Sequence, residues 1–100
     1  MIVEYIRYEI RDADAFMGAY EQARASLDAS PNCLGYELAR CTEEPSSFIL
    51  RIEWDSAEGH LQGFRKSALF PTFLAAIKPF ISDIREMRHY AVTAIAAQKR

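Results

Sequence analysis

Residues 2–10 alternate in polarity: Ile2, Ile6, Tyr8 and Ile10 share one parity, broken by Glu4, and Val3, Tyr5, Arg7 and Glu9 share the other. A period of two marks a strand with two unlike faces. The period then lengthens. Phe16, Tyr20, Ala23 and Leu27 recur at helical spacing, which predicts an amphipathic helix over 13–29. Asp12 is placed to cap it, Asp14 adds favourable charge to its first turn, and Ser30-Pro31-Asn32 stops it. Alternation returns over 33–42, with Leu34, Tyr36 and Leu38 opposing Glu37, Ala39 and Cys41. It returns again over 47–55, with Phe48, Leu50, Ile52 and Trp54 opposing Ile49, Arg51 and Glu53. Glu43-Glu44-Pro45-Ser46 between these two strands is a hairpin-length turn. A helical pattern resumes at Ser56, is weakened by Gly59 and Gly63, and breaks near Arg65-Lys66. It continues over 67–78 through Phe70, Phe73, Leu74 and Ile77, with Pro71 harmless in the first turn and Pro79 ending it. Residues 83–92 form a last strand, and Ala94 to Arg100 is either a frayed helix or an arm.

The order strand, helix, strand, strand, helix, strand predicts an α+β, ferredoxin-like βαββαβ fold. Its four-stranded antiparallel sheet would carry both helices on one face. One domain is expected over 1–92, with a C-terminal tail over 93–100. The even-numbered strand positions form the helix-covered face. The odd-numbered face mixes Val3, Tyr5 and Ile49 with Arg7, Glu9, Glu37, Arg51 and Glu53, joined from the last strand by Arg85 and His89. Such a face is either solvated, with cross-strand charge pairs of ~0.2–1 kcal/mol each, or packed on a second copy of the chain. Tyr5, Val3 and Ile49 favour the second reading, a homodimer joined through its sheet faces with Arg meeting Glu across a two-fold axis.

Composition adds exclusions. Half the residues are hydrophobic, enough for a folded core. Twelve basic and fourteen acidic residues give a net charge of −2, and no basic stripe is present to neutralise phosphates, so nucleic acid is not an expected partner. No apolar run approaches the ~20 residues of a membrane span. The opening Met1-Ile2-Val3-Glu4-Tyr5 reads as a strand and not as a secretory leader. Cys33 and Cys41 flank a predicted strand that would hold them roughly 26 Å apart. They are therefore expected as reduced thiols in a cytoplasmic protein. Two cysteines and two scattered histidines lack zinc spacing, so no metal site is expected.

The candidate chemistry lies at 54–70. Trp54, the sole tryptophan, ends a strand; Ser56 can cap the next helix, and His60 lies one turn into it. An indole and an imidazole so placed can border one pocket. Trp54 also suits core filling, and His60 also suits a helix surface or a satisfied core position. Phe70, Phe73 and Phe80 suit the core first. Tyr8, Tyr20 and Tyr90 are candidates only with inward hydroxyls, and parity puts His89 on the odd-numbered face.

Glu53-Trp54, Ser56, Glu58 and His60-Leu61, followed by Ser67-x-x-Phe70, together with the element order, resemble the antibiotic biosynthesis monooxygenase domain over about residues 2–92. The resemblance implies a ferredoxin-like fold that pairs through its sheets into a dimeric α+β barrel, with a pocket between sheet and helices in each subunit. It implies chemistry on a small aromatic molecule, oxidation of a phenol- or quinol-type substrate by O2 without a metal or other cofactor. Trp54 and His60 fall where polyketide-tailoring members contact their substrate, and Leu50 stands near the place of an Asn in those members. Haem-degrading members carry an Asn on the first strand and a His deep in the second helix; neither is present here. A protein can assist such oxidation by binding the flat ring, moving a proton and excluding water. Tyr36, Leu50, Phe64 and Phe70 are the expected substrate-binding walls beside the catalytic candidates Trp54 and His60. His60 has the intrinsic basicity to take a proton near neutral pH. The other reading is a non-catalytic dimeric domain of the same fold that binds a small ligand or serves a stress role.

Overall fold

A computed structural model describes residues 1–99. The elements are β1 (Ile2–Glu9), α1 (Ala13–Ala29), β2 (Cys33–Arg40), β3 (Ser47–Trp54), a π-helical turn (Gly59–Phe64), α2 (Leu69–Ile77), a 3-10 turn (Lys78–Asp83) and β4 (Ile84–Ala91). Asp12 caps α1, its Oδ1 accepting from the Ala15 amide at 3.0 Å. The strands form one antiparallel sheet in the order β2-β3-β1-β4, so β1 and β3 are central. This is the ferredoxin-like α+β arrangement expected from the element order. Residues 92–99 carry no helix, and Arg100 lies outside the described residues.

Both helices cover the even-numbered face. Tyr8, Phe16, Phe48, Leu50, Ile52 and Trp54 are buried there in one cluster. Tyr8 and Tyr20 share a buried hydroxyl–hydroxyl hydrogen bond, which satisfies both phenols within the core. Burial pushes the Tyr8 hydroxyl up to about 12 and the Tyr20 hydroxyl up as well. No described helix is long and apolar enough to cross a membrane.

Two strands are bulged, and one bulge corrects an expectation. In β4, Tyr8 of β1 faces Ile84 while Arg7 faces Glu86, so Arg85 is the extra residue. Beyond it the parity flips: Ile6 faces Met87 and Glu4 faces His89. His89 therefore lies on the helix-covered side, not on the odd-numbered face where uninterrupted alternation would put it. In β2 the shift falls between Cys33 and Gly35 and leaves Leu34 exposed.

The glycines that weaken the helical pattern after Ser56 are required by close packing. A Cβ on Gly59 would stand 1.8 Å from Asp55 Oδ1, and one on Gly63 would stand 2.3 Å from Asn32 Oδ1. Asn32 Nδ2 donates to Asp55 Oδ2 at 3.0 Å, and the Asp55 amide donates to the Asn32 carbonyl at 2.9 Å. The turn thus lies directly on the link between the ends of α1 and β3. It widens to π geometry, the Arg65 amide reaching back five residues to the His60 carbonyl at 3.0 Å. Gly59→Ala is expected to destabilise the protein by ~1 kcal/mol, the clash outweighing the ~1 kcal/mol gain in helix propensity. With Asp55→Ala as background the same change should become stabilising. Urea denaturation of the wild type and the three variants of the cycle measures this, and equal effects in both backgrounds would refute it.

Candidate active site

A cavity of about 160 Å³ lies between the β1/β4 side of the sheet and α2. Trp54, His60, Phe64 and Phe70, four of the six residues singled out from the sequence, line it. The other two do not. Tyr36 and Leu50 border a separate depression beside α1, where the Tyr36 hydroxyl donates to Asp28 Oδ1 and accepts from Arg24 Nε. The sheet order explains the division. β2 is the edge strand on the far side from β4, and Leu50 lies four residues, roughly 13 Å of strand, from Trp54. Parity gave these two residues the helix-covered face, and the strand order then sets Tyr36 at the sheet edge away from the cavity.

Two residues that sequence reasoning did not bring to the site join it: Glu4, which lines the cavity, and His89, which hydrogen-bonds His60 from outside the lining. Glu4 is 2% exposed, and its Oε1 accepts from Trp54 Nε1 at 3.1 Å. His60 stacks on the Trp54 indole with ring centroids 4.4 Å apart and planes 11° from parallel. The His60 Nδ1 and His89 Nε2 atoms stand 2.7 Å apart, a hydrogen bond in which one nitrogen donates and the other accepts. His60 Nε2 lies 3.6 Å from Glu4 Oε1, and His89 Nε2 lies 3.8 Å from Glu4 Oε2. The three groups offer ligand-type atoms within 4.8 Å of one another. The signal for Glu4 was its place as the lone charge on an otherwise apolar strand face; a carboxylate there must find partners. The signal for His89 was hidden by the β4 bulge.

Burial sets the electrostatics. It raises Glu4 above the ordinary carboxylate range, outweighing the opposing effects of the Trp54 hydrogen bond and of the His89 and Arg65 charges. It lowers His60 to about 4, and the positive charges of His89 and Arg65 push the same way. A carboxylate of raised basicity beside an imidazole of lowered basicity accepts a proton more readily than an exposed carboxylate does.

The antibiotic biosynthesis monooxygenase family profile matches residues 1–78. The chain belongs to that family. It is 27% identical over 75 residues to the uncharacterised protein YczJ of Bacillus subtilis (strain 168), covering 75% of this chain and 79% of the relative. Among solved structures it resembles a candidate antibiotic biosynthesis monooxygenase of Bordetella bronchiseptica, with a TM-score of 0.74 at 23% identity over 92% of this chain and 96% of the other. It also resembles SnoaB, a cofactor-independent oxygenase of Streptomyces nogalater, with a TM-score of 0.73 at 14% identity over 99% and 97%. Identities this low carry the fold and leave the reaction to the site's own chemistry.

The two pKa shifts predict opposite pH dependences. His60, lowered from 6.5 to about 4, contributes stability that is present above pH 6.5 and lost as pH falls toward 4, on the order of 3 kcal/mol in all. Glu4, raised from 4.5, contributes stability that is present below that value and lost as pH rises through its folded pKa. In the Glu4→Gln variant, acidification from pH 6.5 to 4.5 should therefore destabilise more steeply than in the wild type. In His60→Gln the same acidification should have the weakest effect or reverse sign. Urea midpoints across that range report the outcome; parallel curves for the three proteins would show that neither group titrates as described.

Proposed function

We propose that the protein is a monooxygenase-like enzyme that oxidises a small phenol- or quinol-type molecule with O2, working as a homodimer paired through the open faces of its sheets. The observation that carries the reading is a cavity in which an apolar wall meets a single buried cluster of Glu4, Trp54 and His60. Its volume of about 160 Å³ compares with the ~150 Å³ engineered cavity that holds benzene, so one six-membered ring is the natural guest. In this reading Phe64 and Phe70 hold the ring faces, and Glu4, poised by its raised basicity, takes the phenolic proton. His60 and the partly exposed His89 lead that proton toward solvent. The phenolate then gives one electron to O2, the resulting radical pair joins through a new C–O bond, and loss of water leaves a quinone. The balance is phenol plus O2 to quinone plus H2O, one oxygen atom entering the ring and the other leaving as water. The chain's own part is to bind, deprotonate and exclude solvent, and the reading calls on no cofactor.

A second reading, a domain that binds a small apolar ligand without turnover, is favoured by the apolar character of most of the lining. Oxygen uptake over a panel of single-ring hydroquinones separates the two. The enzyme reading expects turnover that falls on the order of 100-fold or more in His60→Ala and Glu4→Gln. It expects a loss in Trp54→Phe too, where the Glu4 carboxylate loses its indole donor. No uptake across the panel, with hydroquinone binding intact, would give the second reading the field.

Pairing through the sheet is supported by what the uncovered face presents. Tyr5, Ile49 and Tyr90 are exposed on it, with Tyr5 and Tyr90 in edge contact at 5.5 Å. Arg51 and Glu53 form an ion pair at 2.6 Å beside them. A large apolar patch rimmed by charge is the surface a two-fold dimer buries. Solution mass should be twice that of the chain at micromolar concentration, and Ile49→Asp should shift it to the monomer; a wild-type monomer would refute the pairing.

A further inference from the structure

We propose that Glu4, His60 and His89 form a binding site for one divalent transition-metal ion of the zinc class, at the edge of the cavity that Glu4 and His60 line. Two imidazoles and a carboxylate are the ligand set such ions take when a position is left open for water or substrate. Three separate elements, β1, the π-helical turn and β4, deliver them to one point, with ligand-type atoms within 4.8 Å of one another. His60 Nδ1 and His89 Nε2 already converge at 2.7 Å across a shared proton. The Trp54 indole occupies Glu4 Oε1, which leaves Oε2 to face His89 Nε2 at 3.8 Å. Ligand atoms around a tetrahedral ion at 2.0–2.1 Å lie roughly 3.4 Å apart. The separations of 2.7 and 3.8 Å bracket that value and no ligand-atom separation exceeds 4.8 Å, so side-chain adjustments of up to roughly 1 Å would seat the ion. The indole hydrogen bond acts as the outer contact that fixes a ligating carboxylate. Opposing the site is the Arg65 guanidinium, whose positive charge bears on both Glu4 and His60. On binding, the ion takes the place of the proton between the imidazoles and of any proton on Glu4, and these leave to solvent. Sequence spacing hides the site because its ligands stand at positions 4, 60 and 89.

The ion competes with a substrate proton for Glu4, so binding is measured without substrate, which tests the metal site apart from the oxidation reading. The untagged, metal-stripped chain is titrated with Zn2+ by calorimetry and with Co2+ by visible absorbance. One ion per chain at micromolar affinity or tighter is expected, with intense Co2+ bands of low coordination number. His89→Ala and Glu4→Gln should each weaken binding at least about 100-fold, more than an outer contact alone would. Should Glu4→Gln fail to fold, the half-exposed His89 decides the matter. Cys33→Ser/Cys41→Ser should leave the affinity unchanged, and Arg65→Gln should tighten it. The proposal is overturned if the wild type shows no saturable binding, if His89→Ala keeps the ion, or if the cysteine variant loses it.

Discussion

A carboxylate on the helix-covered face of the central strand is the constraint around which one end of this molecule is organised. Leaving Glu4 without partners there would cost several kcal/mol. The surrounding chain answers with an indole N–H at 3.1 Å and two imidazoles beyond it. None of these partners is local in sequence. Trp54 comes from the end of β3, His60 from the π-helical turn and His89 from β4. Among the described residues no buried side-chain polar atom is left without a hydrogen-bond partner. The carboxylate therefore ties three elements to β1, and the stacking of His60 on Trp54 closes the arrangement.

The departures from regular geometry gather at the same place. The Arg85 bulge re-aims the rest of β4 so that His89 looks inward. The wide turn at Gly59–Phe64 brings both His60 and Phe64 into the core. Its glycines let it lie on the Asn32–Asp55 link, which fixes the turn to β3 just past Trp54. A regular strand and a regular α-helix at these two positions would satisfy local propensity and leave Glu4 with one partner in place of three. Irregularity gathers at this polar cluster because its long-range partners, and not local propensity, set the geometry there.

The same competition explains what the amino-acid sequence disclosed and what it hid. Alternation and helical spacing located every strand and helix to within about two residues, because each of these elements has one face in the core. The meeting of Trp54 with His60 was legible because a capping serine joins a strand end to a helix start within a few residues. Glu4 was visible only as an exception to a pattern, and its meaning depended on partners 50 and more positions away. His89 was misplaced because one extra residue in β4 reverses the parity, and no glycine marks the bulge. Tyr36 and Leu50 show the limit of a period-two argument: it assigns a face, whereas the position across the sheet requires the strand order.

Cavity shape then bears on what kind of molecule suits the site. Of the polar side chains in the lining, Glu4 and His60 stand together, Arg65 bears on both, and the Tyr8 hydroxyl is already bonded to Tyr20. Much of the remaining wall is aromatic or aliphatic, with Phe73, Leu74 and Ile77 on α2 and Ile81 and Met87 toward the exposed rim. A guest with one polar edge and an apolar body matches that division, and a volume of about 160 Å³ limits the body to a single ring. A fused three-ring molecule would have to displace Leu74, Ile81 or Met87 outward. Those side chains already reach solvent, so enlargement at the rim costs less than enlargement beneath Trp54.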